Sequence, residues 1–126
     1  MVLSVIMPCY NEAATISSIL QKVRAIKMDM QIIAVDDNSS DNTFAILQRE
    51  AASDPNMIVV RHPTNRGKGA AVRSGLARAT GEIVIIQDAD LEYDPEDYYE
   101  LVRPIAEGRV NVVFGSRFSG RHTGMY

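Results

Sequence analysis

The sequence predicts an α/β protein, a Rossmann-like doubly wound sheet of mostly parallel strands with helices on both faces. Three observations predict it. Short apolar runs alternate strictly with segments of helical periodicity, in the order β-α-β-α-β-α-β-α-β, which demands crossover connections and a parallel sheet. The run Ile83-Val84-Ile85-Ile86 is β-branched throughout, as in a strand covered on both faces. Each apolar run also ends in polar, chemically capable residues, and open α/β sheets collect ligands at the carboxyl ends of their strands.

The elements follow in order. Val2 to Met7 is the first strand, closed by Pro8, which lacks a ladder donor. Asn11 is placed to cap a helix whose stripe is Ile16, Ile19, Leu20, Val23 and Ile26. Gln31 to Val35 is the second strand, and Asp36-Asp37-Asn38-Ser39-Ser40-Asp41 a polar loop rich in caps for a helix burying Phe44, Leu47 and Ala51. After Asp54-Pro55-Asn56, Met57 to Val60 is the third strand. The loop from His62 to Gly69 carries glycine and positive charge into a helix with Val72, Gly75, Leu76 and Ala79 on one face, ended by Gly81. Asp94 and Pro95 open a fourth helix, terminated at Gly108, and Asn111 to Phe114 is the fifth strand.

Composition narrows the function. At 126 residues, one domain over 1–126 is expected, and the net charge of −3 argues against a nucleic-acid partner. A single cysteine, Cys9, rules out an internal disulfide and fits a reducing, cytoplasmic setting. No segment reaches the roughly 20 apolar residues of a membrane span, and MVLSVIMPCY reads as a strand rather than a leader peptide. Two histidines and one cysteine make a zinc site a poor expectation.

The reactive groups converge on one edge. Asp88 and Asp90 lie two residues apart at a strand end, so an extended chain aims both at one point. Two such carboxylates repel unless a proton or cation sits between them, and a hard cation such as Mg²⁺ or Mn²⁺ takes oxygen ligands together with substrate phosphates. Pro8, Tyr10 and Glu12 follow the first strand, Asp36 and Asp37 the second, Lys68 the third and Arg117 the fifth. Each has a plainer reading. Asp36 and Asp37 make turns and caps as readily as a site. Lys68 fails the P-loop pattern and reads alone as a solvated turn. Tyr10 reads as a half-buried loop aromatic, Arg117 as one half of a structural ion pair, and His62, beside Pro63, as a surface residue. Cys9 has no paired base and is not cast as a nucleophile.

Together, Pro8-Cys9-Tyr10-Asn11-Glu12, Val35-Asp36-Asp37-Asn38-Ser39, Asn65-Arg66-Gly67-Lys68-Gly69, Asp88-Ala89-Asp90 and Gly115-Ser116-Arg117 resemble the motifs of inverting glycosyltransferases of family 2, with the GT-A fold. The similarity is greatest to dolichyl- and polyprenyl-phosphate sugar transferases. The five segments run in family order from residue 3 to 118. The resemblance implies a nucleotide-sugar donor, GDP-mannose or a UDP-sugar, on Pro8, Tyr10, Glu12, Val35, Asp36, Asp37, Lys68, Asp88, Ala89, Asp90 and Arg117. It implies Mg²⁺ or Mn²⁺ on Asp88, Asp90 and Glu92, with Asp90 and Arg117 as the catalytic groups, and a lipid-phosphate acceptor at the cytoplasmic membrane face, where the protein would be peripheral. Family members continue past the Gly-Ser-Arg segment, so the chain is expected to be cut short on the acceptor side. A donor-binding module without transfer activity is the alternative. A nucleotidyltransferase is a weaker one, because Pro-Cys-Tyr-Asn-Glu stands where such enzymes carry a basic glycine loop.

Overall fold

The computed structural model describes residues 3–89 and the backbone of 112–114. The fourth expected helix, together with Asp90, Glu92 and Arg117, lies outside the described residues.

Five strands, β1 (Leu3–Cys9), β2 (Met30–Asp36), β3 (Met57–Arg61), β4 (Ile83–Ile86) and β5 (Val112–Phe114), form one sheet in the order β3-β2-β1-β4-β5. Every ladder is parallel. The chain steps outward from β1 to β3, then returns to the other side of β1 for β4. The helices among the described residues are α1 (Ile16–Arg24), α2 (Thr43–Ala52) and α3 (Lys68–Leu76).

Strand alternation divides the core into two. Leu3, Val5, Met7 and Cys9 of β1, with Ile32, Ala34, Ile83 and Ile85, face Ile16, Ile19, Leu20 and Val23 of α1 and Leu47 of α2. The intervening Ile6, with Ile33, Val35, Val84 and Ile86, faces α3 through Ala71. Helices on both faces explain why the strands carry apolar residues on both sides rather than at alternate positions alone. On the α3 side the packing is close: a Cβ at Gly75 would collide with the Ile6 side chain.

Four local expectations are corrected. Asn11 does not cap α1. It adopts φ 53°, and its Oδ1 accepts the Ser40 amide at 2.8 Å, while Thr15 stands at the cap position. Helix α3 ends at Leu76 rather than near Gly81, because Thr80 and Gly81 are drawn away to Gln31 and Ser4 by hydrogen bonds of 3.1 and 2.8 Å. Leu76 is exposed, and the buried face of α3 is Ala70, Ala71 and Gly75, with Val72 at its margin and Ala79 just past its end. Phe44, expected in the core, is half-buried with the Arg61 guanidinium 4.5 Å above its ring.

Candidate active site at the carboxyl edge

β1, β2 and β3 end level with one another, in the row Cys9, Asp36, Arg61. Beyond that row, between the β1 and β4 ends where the strand order reverses, lies a cleft of about 410 Å³. Pro8, Cys9, Tyr10 and Glu12 line it from the β1 side and Asp37 from β2. Asn65 and Gly67 line it from the β3–α3 connection, Lys68 and Ala71 from α3, and Asp88 and Ala89 from the segment after β4. It sits at the switch point of a doubly wound sheet, where such folds bind ligands.

Bonds between loops hold these residues in a closed ring. The Asn11 amide reaches Ser39 Oγ at 2.9 Å, the Glu12 amide Thr43 Oγ1 at 2.8 Å, and the Ala13 amide Asp41 at 3.3 Å. Thr15 Oγ1 donates to the Ala89 carbonyl at 2.9 Å, tying the β1 loop to the end of β4. Lys68 Nζ pairs with the Asp88 carboxylate, joining the start of α3 to the segment after β4. The β2 end is joined to the β3–α3 loop through Asp37.

Asp37 is the most heavily held of these groups. Its Oδ1 accepts from the His62 ring at 2.7 Å and the Arg66 amide at 2.9 Å, and its Oδ2 from the Gly67 amide at 2.8 Å. Burial alone would raise its pKa, but the hydrogen bonds from Arg66, His62 and Gly67 outweigh that and hold the carboxyl below its usual value. Asp41 behaves alike: burial opposes its ionisation, and hydrogen bonds from Thr43 and Ala13 prevail. Burial pushes the Cys9 thiol well up, with the charges of Asp36, Glu12 and Asp88 adding to it, so the cleft floor holds an un-ionised thiol.

The expected site residues therefore separate. Pro8, Tyr10, Glu12, Asp37, Lys68, Asp88 and Ala89 meet at the cleft. Val35 is wholly buried against the α3 side of the sheet. Asp36 is fully buried away from the cleft lining, its oxygens taken by the Ser39 amide at 3.1 Å, Ser39 Oγ at 2.5 Å and Arg61 Nε at 3.3 Å. In this structure it closes a turn with Ser39 and pairs with Arg61. Of the metal set, Asp88 alone lies among the described residues, and among them no three His, Cys, Asp or Glu side chains gather as a metal cluster. The Asp88 carboxylate at the cleft, already drawing an ammonium, suits a hard cation with oxygen ligands.

Sequence reasoning missed His62. It is 4 % exposed, not a surface residue, and both ring nitrogens are bonded. Asn65 was quoted only within a motif, yet it lines the cleft and donates to the Asp37 carbonyl at 3.2 Å.

Comparison with known proteins adds to this geometry. The family described as Glycosyl transferase family 2 matches residues 4–124, almost the whole chain. The chain belongs to glycosyl transferase family 2. Among curated relatives, it is 39% identical over 111 residues to an undecaprenyl-phosphate 4-deoxy-4-formamido-L-arabinose transferase of Pectobacterium carotovorum, covering 83% of this chain and 34% of that one. It is 32% identical over 120 residues to a dolichol-phosphate mannosyltransferase of Pyrococcus furiosus, covering 94% of this chain and 34% of the other. The chain thus spans about a third of the length of these relatives. A solved mannosyltransferase of Pyrobaculum calidifontis, in complex with GDP-Man and Mn²⁺, superposes with a TM-score of 0.66 at 35% identity, over 70% of this chain and 27% of that one. The family 2 assignment fits a parallel sheet whose polar cleft lies at its carboxyl edge. Among the described residues no helix is long and apolar enough to cross a membrane.

Proposed function

We propose that this family 2 chain is the donor-binding part of an inverting glycosyltransferase, which takes a nucleotide-sugar and passes its sugar to a polyprenyl or dolichyl phosphate at a membrane surface. The observation that carries the reading is the cleft, where Asp37, Lys68 and Asp88 converge from three strand ends beside an exposed Tyr10. Relatives named for undecaprenyl-phosphate and dolichol-phosphate transfer support the acceptor class, and a neighbour solved with GDP-Man and Mn²⁺ supports donor and metal.

In this reading, Tyr10, Pro8, Glu12 and Asp37 receive the base and ribose. An acceptor-only carboxylate at Asp37 suits the N–H and O–H groups found there. Lys68 meets the diphosphate as a point charge, joined by Arg117. Asp88, Asp90 and Glu92 would hold a divalent cation, which when bound supplies positive charge against the departing nucleoside diphosphate. Asp88 must then exchange or share its Lys68 partner with that ion. A lipid phosphate is already anionic, so attack on the anomeric carbon needs no general base from the chain.

Calorimetric titration of GDP-mannose, UDP-glucose and UDP-N-acetylglucosamine, each with Mn²⁺ and with chelator, tests the reading. One donor should bind with metal and lose about tenfold or more in affinity with chelator or after Asp88→Ala. Incubation with undecaprenyl phosphate should then release the nucleoside diphosphate. Binding without release would reduce the reading to a donor-binding module. Failure of every donor to bind the folded protein, or binding indifferent to metal and to Asp88, would overturn it.

A further inference from the structure

We propose that His62 and Ser74 are positioning residues for the donor, forming a strut that sets the Asp37 carboxylate for the base and ribose. The inference rests on the functional reading above and names a part of the site which that reading lacks.

The geometry begins with a placement that needs a reason. His62 follows directly on β3, an edge strand, beside an exposed proline, where a ring would ordinarily turn to water. Instead the ring is buried and bonded at both ends: Nδ1 to Asp37 Oδ1 at 2.7 Å and Nε2 to Ser74 Oγ at 2.8 Å. An ionised carboxylate only accepts, so Nδ1 carries the proton toward Asp37. Ser74 is in the second turn of α3, a helix packed hard against β1 at Gly75. The ring thus braces Asp37 against a rigid element rather than against a loop.

The brace matters because Asp37 has little else of that kind. Its other two donors, the Arg66 and Gly67 amides, belong to the connection leading into α3. A carboxylate has about four acceptor positions. Three are filled here, so the plane of the group is fixed and one position is left for a ligand. Lost rotation of this kind is preorganisation: the group need not be ordered when the donor arrives. The phosphate end of the cleft has its own anchor, the Lys68–Asp88 pair, which does not pass through His62. A fault in the strut should therefore be felt at the nucleoside and not at the phosphates.

Four variants separate this from a purely structural role: Ser74→Ala, Ser74→Thr, His62→Asn and His62→Gln. For each, the affinities of GDP, UDP and inorganic pyrophosphate are measured by calorimetry with Mn²⁺, together with the thermal midpoint. Ser74→Ala and His62→Gln should weaken the preferred nucleoside diphosphate by about tenfold and pyrophosphate by less than about twofold. Ser74→Thr keeps the hydroxyl and should restore the parent affinity. His62→Asn keeps a donor toward Asp37 without reaching Ser74 and should match Ser74→Ala. A parallel loss for nucleotide and pyrophosphate, or a lowered midpoint with unchanged nucleotide affinity, would overturn the strut while leaving the functional reading standing. A parent protein that binds pyrophosphate but neither nucleotide would overturn both.

Discussion

The two faces of the sheet are packed by different means. Against one face lie the long aliphatic side chains of Ile16, Ile19, Leu20, Val23 and Leu47, from two helices. Against the other lies a single described helix, with Ala70, Ala71 and Gly75 as its buried residues. The first face supplies bulk and the second closeness. A helix that buries small residues stands nearer to its strands, and α3 brings Lys68 and Ala71 to the cleft and Ser74 to His62 by doing so. The α1–α2 face should therefore govern stability, and the α3 face should govern binding.

Leu47→Ala strikes the thick face. It removes a fully buried side chain and should destabilise by about 2–5 kcal/mol, read by urea unfolding, with nucleotide affinity unchanged in the folded fraction. Gly75→Ala strikes the close face. Its methyl group must displace Ile6 or α3, costing about 1–3 kcal/mol. It should nevertheless weaken nucleotide binding more than Leu47→Ala does, because Ser74 moves with the helix. If the two variants lose affinity equally, the division of labour is wrong.

Asp37→Asn gives the smallest change in stability, about 1 kcal/mol near neutral pH from a weakened hydrogen-bond set, and the most specific signature. The folded carboxyl has a lowered pKa, so its ionisation stabilises the fold above the unfolded value, and that stabilisation is lost as pH falls through the folded one. The parent should lose stability in acid more steeply than the variant, and the gap between them should narrow toward low pH. A constant gap in thermal midpoints across the acid range would mean that Asp37 contributes shape and not charge.

Much of the fold was legible because its signals are local. β-branched runs and the switch between periods of two and 3.6 residues mark strands and helices without knowledge of partners. Strand ends were legible for the same reason, and they brought Tyr10, Glu12, Asp37, Lys68 and Asp88 to one cleft. What escaped depends on distant pairings. Asn11 has the chemistry of a cap, yet its partner is Ser40, 29 residues away. His62 has a loop's neighbours, and its burial follows from Asp37, 25 residues earlier, and Ser74, 12 later. Asp36 and Asp37 are adjacent and chemically identical. Alternation along β2 sends them to different surroundings, and only Asp37 reaches the cleft.

The ring of bonds around the cleft bears on how such a site can be re-engineered. Loops that touch only solvent can be exchanged one at a time between related proteins. Here the β1 loop is bonded to the β2 loop and to the end of β4, and the β2 end to the loop before α3. A graft of one loop from a relative would arrive without its partners, leaving amides such as those of Asn11, Glu12 and Gly67 in search of acceptors. Under the proposed function, donor preference is therefore a property to be transplanted as a set, strand ends and connections together.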